Sequence, residues 1–519
     1  MELINQTYNQ KDFSQLILNL YHQAINDSET LLEKYPIESR IVSRDNLLTY
    51  LAIMAKHNPK LEDHLVNHGF SSLNASNPHP LYTLKQILFH QGLTVEPPNV
   101  QVISPSDSKH LSKLHSEIIF GKLEEKLPFS IMVTLDAKMI SQPALVESLL
   151  TNGMTIARIN CAHDNELIWK ELITLIRTTE RKLIKHGILR NQFCKIYMDL
   201  AGPKIRIGKV SRDNQHQDSK KQKKIFVRKG DLLRLYLDSE KKGHPATNES
   251  PAGVPVTLVK AFKNVRINDR IYIDDGKIHG LVERIRNDHV DVRILFPEKR
   301  TAKIKEGKGL NLPDSLISLN LSSLTEKDMK DLAFITENAD IVGISFVHSP
   351  LDLLKLREEL ERYSRLDIPV VAKIETKDAI HHLARIILEG LKFNGGFGIM
   401  IARGDLAVEV GLENLPFVQD EILNICKAAH TPTIWATSVL EGLTKQGNPT
   451  RSEMTDVAQG KRADCFMLNK GPYIVESLMM LKKILTSNQY FPPNNTIHRN
   501  LTVQYGFFKG IKEGAPLSE

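Results

Sequence analysis

Residues 370–403 read VVAKIETKDAIHHLARIILEGLKFNGGFGIMIAR. Two short, β-branched and nearly all-apolar runs, VVAKIE (370–375) and GIMIAR (398–403), flank a longer stretch of helical character. A strand that is apolar on both faces is buried on both faces, which is the condition of a parallel sheet covered by helices. Working outward, six more such runs occur: IMVTLD (131–136), TIARINC (155–161), KIYMDL (195–200), IVGISF (341–346), TIWATS (433–438) and CFMLNK (465–470). Helix-like stretches such as ALVESLLTNG, EKDMKDLAFITENA and VQDEILNICKAA lie between them. Eight strands, each followed by a helix, predict an α/β fold of the (β/α)8 or TIM-barrel type.

The spacing has one irregularity. After the third run, residues 210–303 hold a polar tract, SRDNQHQDSKKQKK, and then alternating segments such as KKIFVRKGDLLRLYL and HVDVRILF, which predict a small antiparallel β-domain inserted in a barrel loop. Residues 1–125 show helical periodicity in NLLTYLAIMAKH, LEDHLVNHGF and LYTLKQILFHQG, without strand signals. The expected organisation is therefore a helical N-terminal region (1–125), a barrel (126–209 and 304–490), an inserted β-domain (210–303) and a short C-terminal tail (491–519). At 519 residues, more than one core is required.

Composition excludes several classes. Lys and Arg number 68 against 61 Asp and Glu, a net charge of +7 that is spread along the chain and leaves no footprint for nucleic acid. No apolar run reaches the ~18 residues that a membrane span needs. The four cysteines, Cys161, Cys194, Cys426 and Cys465, are far apart and read as reduced cytoplasmic thiols.

Polar residues at the strand ends carry the chemistry, because the active site of such a barrel lies at the C-terminal face. They are Arg158 and Asn160, Asp199, Ser345, Lys373 and Glu375, Arg403 and Asp405, and Thr437. Carboxylates mixed with cations suit a divalent metal of the oxygen-seeking kind, Mg²⁺ or Mn²⁺, together with an anionic substrate. That combination is what phosphoryl transfer requires. Lys373 and Glu375, two apart on one strand, share a face; a structural ion pair at the barrel rim is the plainer reading of the same two residues.

Nine collinear segments make the chain from about 129 to 487 resemble the pyruvate kinase family: GMTIARINCAHD, MDLAGPKIRIG, IYIDDGKI, GKGLNLPD, SSLTEKDMKDL, VVAKIETKDAI, GIMIARGDLAVEVG, PTIWATSVLEGL and NPTRSEMTDVA. The resemblance implies a TIM barrel whose inserted domain closes over the site, acting on phosphoenolpyruvate and ADP to give pyruvate and ATP. By position, Arg158 would bind the substrate phosphate, and Lys373 would stabilise the transferring phosphoryl group and the enolate. Glu375 and Asp405 would hold Mg²⁺, the backbone at Gly404 would receive the substrate carboxylate, and Thr437 would lie near the carbon to be protonated. Asn160, His163, Arg206 and Lys308 would meet the nucleotide phosphates, with Asp275 in the closing domain. No nucleic-acid or membrane partner is expected; a homo-oligomer is compatible with the resemblance, and the sequence leaves the oligomeric state open.

The sequence also departs from the family's pattern. Ala162 and Asp164 stand where a serine and a glycine are usual, TLDAKM replaces TIGPAS with Asp136 and Ala137 in its turn, and MLNKGPY shortens the loop MLSGETAKG. The tail is too short for the α/β domain that binds sugar-phosphate effectors in many members, so control by fructose 1,6-bisphosphate is not expected. Of the four residues that hold K⁺ in most members, Asn160 and Asp199 remain while Ala162 and Leu200 replace the others, and the motif's glutamate has become Lys204. Lys204, paired with Asp199, is expected to supply the positive charge that K⁺ otherwise brings, so that K⁺ is not required. A low-activity or regulatory relative of the family, and a Mg²⁺-dependent aldolase acting on pyruvate enolate, are the alternative readings.

Overall fold

The computed structural model describes residues 10–37, 40–56, 59–123, 127, 129–189, 193–211, 224–298, 301–315 and 322–486. The expected tail, 491–519, and most of the polar tract at 211–224 lie outside the described residues.

Sixteen strands are present among them. In chain order they are β1 (Ser130–Thr134), β2 (Ile156–Asn160), β3 (Lys195–Asp199), β4 (Lys224–Val227), β5 (Leu232–Tyr236), β6 (Ala252–Pro255), β7 (Arg270–Ile273) and β8 (Ile278–Ile285). There follow β9 (His289–Phe296), β10 (Ala302–Lys305), β11 (Leu310–Asn311), β12 (Ile341–Ile344), β13 (Val370–Ile374), β14 (Phe397–Ala402), β15 (Thr433–Ala436) and β16 (Cys465–Leu468). The eight apolar runs became β1–β3 and β12–β16, which close into a barrel in the order β1-β16-β15-β14-β13-β12-β3-β2. The pairings within it are parallel: Ile344 lies beside Ala372, and Lys373 beside Met400. β12 to β16 are buried along their whole length, which explains why they read as unbroken apolar runs.

Residues Met1–His115, Asn160–His163 and Met198–Pro432 form one compact unit of the chain, and Ser116–Ile159, Asp164–Tyr197 and Thr433–Glu519 form a second. In the first lies the inserted domain, a six-stranded sheet in the order β11-β7-β8-β9-β5-β6 and a two-stranded β10-β4 pair. Its core includes Ile225, Leu233, Leu235, Val254, Ile273, Val282, Val292 and Leu312. The expected antiparallel character holds except at β5 and β6, which pair in parallel because residues 237–251 carry the chain back before β6 begins.

Helices α1 (Gln10–Leu32), α2 (Ile41–Ala55), α3 (Pro59–Asn67) and α4 (Pro80–His90) belong to the same unit, as do residues 105–115 of α5 (Pro105–Phe120). Phe13, Ile17, Tyr21, Leu65, Leu84 and Leu88 are among the side chains of a core of their own. Among the described residues, no helix is long and apolar enough to cross a membrane.

Helix starts fix several loops. Thr325 caps the helix Glu326–Asn338 in a reciprocal box with Asp328. The buried Asp328 carboxylate also accepts the backbone N–H groups of Ala201 (2.8 Å) and Gly202 (3.2 Å), so the cap of one helix anchors the turn that follows β3. Ser349 with Asp352 and Thr450 with Glu453 repeat the box at two further helices.

Candidate active site

Within the first unit, one group of candidate residues is assembled at the ends of β3, β12, β13 and β14. Lys373 projects from β13 and is 8% exposed. Its ammonium lies 3.0 Å from Glu375 Oε1 and 3.3 Å from Asp199 Oδ2, and donates to Ser345 Oγ at 2.8 Å. Ser345 Oγ in turn donates to the carbonyl of Leu200 at 2.6 Å. A cation buried among two acids and a hydroxyl is stable only because each polar atom has a partner.

Glu375 also accepts the backbone N–H of Phe346 at 2.7 Å. Burial pushes its carboxyl above the ordinary range; Lys373 opposes the rise and the neighbouring Asp405 adds to it. Asp405 lies in the first turn of the helix Arg403–Val410, where the N–H groups, Gly404 among them, have no acceptor within the helix. Burial alone would raise the Asp405 carboxyl as well, but Lys204, Asn311 and Lys373 together outweigh burial and hold it below the usual range. One turn on, burial lifts the Glu409 carboxyl to about 7.

Lys204 is placed differently from the sequence expectation. Its Nζ lies 2.8 and 3.0 Å from the two oxygens of Asp405 and 3.7 Å from Asp275 Oδ1. Asp199, the partner anticipated for it, is engaged by Lys373. The reason is the turn Ala201–Pro203, tied down by Asp328, after which the Lys204 stem runs over Gly309 toward β14. A Cβ on Gly309 would fall 2.5 Å from Lys204 Cε, so any larger residue there would make the end of the Lys204 side chain shift from that path. Burial lowers the affinity of Lys204 for its proton, yet Asp405 and Asp275 more than compensate and raise it above the ordinary lysine value.

Two contributors went unread in the sequence. Asn311 on β11 donates through Nδ2 to Asp405 Oδ1 at 3.3 Å, while its Oδ1 is buried without a hydrogen-bond partner among the described residues. Its signal lay within GKGLNLPD. Asp328, whose signal was the Thr-x-x-Asp capping box in SSLTEKDMKDL, positions the Lys204 turn.

The remaining candidates are distributed as follows. Arg206 and Lys308 sit side by side where the chain enters and leaves the inserted domain, since Ile207 N donates to Lys308 O at 2.8 Å. The Arg206 guanidinium donates to Gly307 O (2.9 Å), and Lys308 Nζ donates to Asp274 (2.7 Å). Asn160 ends β2 and accepts the N–H of Ala162 at 3.0 Å, and His163 beyond it is exposed. In the second unit, Arg158 of β2 is buried and donates to Thr134 Oγ1 at 3.0 Å. Thr437 follows β15 with φ at 66° and Ser438 with φ at 60°. A β-branched residue in that region is strained, which is the mark of a site over-determined by its surroundings.

Glu375 and Asp405 fit a divalent metal. Both are hard-oxygen donors, Glu375 buried and Asp405 partly buried, and the orphaned Oδ1 of Asn311 beside Asp405 suits a donor such as a metal-bound water. No three His, Cys, Asp or Glu side chains converge as ligands among the described residues. Two carboxylates, with other positions left to water and substrate oxygens, are the usual Mg²⁺ arrangement.

Comparison with known proteins bears on this geometry. Residues 128–477 match the family model for the barrel domain of pyruvate kinase. The chain is 32% identical over 357 residues to a pyruvate kinase of Thermococcus litoralis, covering 67% of each. It is 31% identical over 350 residues to that of Thermotoga maritima, covering 66% of each. A pyruvate kinase of Bacillus licheniformis is 31% identical over 349 residues, a match spanning 66% of this chain but only 54% of the relative.

Proposed function

The chain belongs to the pyruvate kinase family, and from that premise we propose that it transfers the phosphoryl group of phosphoenolpyruvate to ADP, giving pyruvate and ATP. The observation that carries the proposal is the buried Lys373, held between Asp199, Glu375 and Ser345 at the strand ends. A desolvated ammonium, fixed in advance, stabilises negative charge far better than one that must reorganise in water. Lys373 therefore meets the transferring phosphoryl group and the enolate oxygen left behind. Arg158 binds the phosphate of the substrate, and the free N–H groups around Gly404 receive its carboxylate. The strained Thr437 presents its hydroxyl to the enolate carbon that takes up a proton. Asn160, His163, Arg206 and Lys308 meet the phosphates of ADP, the last two from the mouth of the inserted domain.

Glu375 and Asp405 would hold Mg²⁺ or Mn²⁺, which when bound would neutralise charge on the phosphoryl group. Lys204 would bring, as part of the chain, the monovalent charge that K⁺ brings elsewhere; its burial against Asp405 supports that reading. We place the enzyme in the cytoplasm, consistent with four buried free cysteines.

A coupled assay of the purified protein with phosphoenolpyruvate, Mg²⁺ and ADP tests the activity, with pyruvate and ATP expected in equal amounts. No turnover with any nucleoside diphosphate would overturn it. Rates measured in K⁺ and in tetramethylammonium at matched ionic strength should agree, whereas loss of most activity on withdrawing K⁺ means that Lys204 does not replace the monovalent ion.

A further inference from the structure

We propose that Lys204 is an internal competitor of the divalent cation: it holds the Asp405 carboxylate while the metal is absent, and yields it to the metal by moving to Asp275 of the inserted domain. The inference rests on reading Glu375 and Asp405 as the metal ligands. Both oxygens of Asp405 are engaged by the Lys204 ammonium, at 2.8 and 3.0 Å, and one of them also by Asn311. Lys373 meets Glu375 at Oε1, whereas the Lys204 ammonium covers both oxygens of Asp405, so a divalent ion that coordinates Asp405 lands directly on that ammonium and is repelled by it. Metal binding at Asp405 therefore requires the ammonium to leave. It cannot leave without a partner, since an unpaired buried charge is costly.

The alternative partner is already within reach. Asp275 Oδ1 stands 3.7 Å from Lys204 Nζ, and its side chain is more than half exposed. Asp275 belongs to the tight turn Asp274–Gly276 between β7 and β8, in which all three residues have positive φ. Asp274, its neighbour, is pinned by Lys308 and Lys277, so the turn keeps its shape as the ammonium shifts. Moving one cation from the barrel strand end to this turn exchanges a contact within the barrel for one that reaches the inserted domain. Metal occupancy and attachment of that domain are thereby linked through a single side chain, with no change in the net charge of Lys204 and its two acids.

Direct titration with Mn²⁺, followed by the loss of its free electron-spin-resonance signal and without substrates, tests the exchange. Removing the competitor in Lys204→Met should tighten Mn²⁺ binding at least tenfold; unchanged or weaker binding overturns the proposal. Glu375→Gln should abolish binding at this site. If Glu375→Gln binds Mn²⁺ like the wild type, it is the metal reading that fails; if it does not bind and Lys204→Met shows no tightening, the competition alone fails. Asp275→Asn should weaken binding several-fold in the wild type and have no effect in the Lys204→Met background, and equal effects in both backgrounds rule out Asp275 as the receiving group. Should Lys204→Met fold poorly, the wild-type protein supplies the answer by acylation and mass spectrometry. Lys204 should react faster with acetic anhydride when Mn²⁺ is present, and equal or slower labelling contradicts its release.

Discussion

Lys373 shows how far a single position can be read. Its spacing from Glu375 on an apolar strand placed both on one face, and the structure adds Asp199 and Ser345 as the groups that fix it. Replacing it with methionine removes the charge-stabilising group at the centre of the site, and turnover should fall by at least the ~10²–10³ typical of a lost oxyanion donor. A variant keeping a third of the wild-type rate would remove Lys373 from the chemistry. Stability should respond too, because Glu375, buried at 3% exposure, loses the ammonium that opposes its burial, at a cost of ~3–5 kcal/mol. With that opposition removed, the Glu375 carboxyl stays protonated in the folded state to a higher pH than in the unfolded chain. Such a group stabilises the fold below its unfolded pKa and loses that contribution as pH rises through the folded one. The melting temperature of Lys373→Met should thus approach that of the wild type on going from pH 8 to pH 5, and a constant gap would show that the carboxyl is not unmasked. The partner of Lys204, by contrast, was not legible, since it depends on the direction in which a turn leaves β3. That direction is set by Asp328, distant in sequence.

At the scale of elements, the apolar runs announced all eight barrel strands because strands buried on both faces carry no polar alternation to obscure them. The inserted domain was harder. Its alternating segments identified a sheet, but the parallel pairing of β5 with β6 depends on where a loop returns, and the two-residue β11 is too short to leave a pattern. β11 nonetheless matters, as it carries Asn311 and follows directly on Gly309. Gly309→Ala should push the Lys204 stem aside, since the new methyl would lie 2.5 Å from Cε. The stability lost is what the displaced ammonium gives up at Asp405, on the order of 1 kcal/mol, below the cost of overpacking a rigid core. The loss should be seen in the metal-free protein by thermal unfolding and should shrink when Mn²⁺ is saturating, if the metal has already displaced the ammonium. An equal loss in both states would mean that Lys204 keeps its place when the metal binds.

For the molecule as a whole, the family match begins at residue 128, and the helices of residues 10–120 must be understood from their own contacts. Those contacts were illegible in the sequence for a physical reason: many of the acceptors are backbone carbonyls, which any residue can offer. Arg40 donates to the carbonyls of Leu391 (3.2 Å) and Phe393 (2.5 Å), Asn46 to that of Ala428 (2.7 Å), and the ring of His115 lies 2.7 Å from the carbonyl of His430. His430, only 2% exposed, is the centre of this junction. Its Nδ1 lies 3.2 Å from Ser43 Oγ, and its Nε2 lies 3.0 Å from both Ser108 Oγ and the carbonyl of Pro78. The carbonyl of Pro78 can only accept, so Nε2 carries the proton and Nδ1 accepts from Ser43.

Burial, aided by His115 and His79 nearby, lowers the His430 pKa to about 4, with the Pro78 carbonyl pulling the other way. In the unfolded chain the same imidazole titrates near 6.5. Between those values the unfolded state binds a proton that the folded state refuses, so stability is complete above ~6.5 and falls as pH drops toward 4. His115, His79 and His64 are shifted in the same direction, burial being the main cause in each, and steepen the loss. At ~1.4 kcal/mol per pKa unit, His430 alone accounts for ~3 kcal/mol over that interval. Unfolding followed by calorimetry at pH 7, 6 and 5 should show a falling melting temperature for the wild type. His430→Gln, which keeps hydrogen-bonding capacity but cannot titrate, should melt lower at pH 7 and lose less on acidification. Parallel slopes for the two proteins would move the pH sensitivity elsewhere and leave His430 as a neutral spacer between the helices and the barrel.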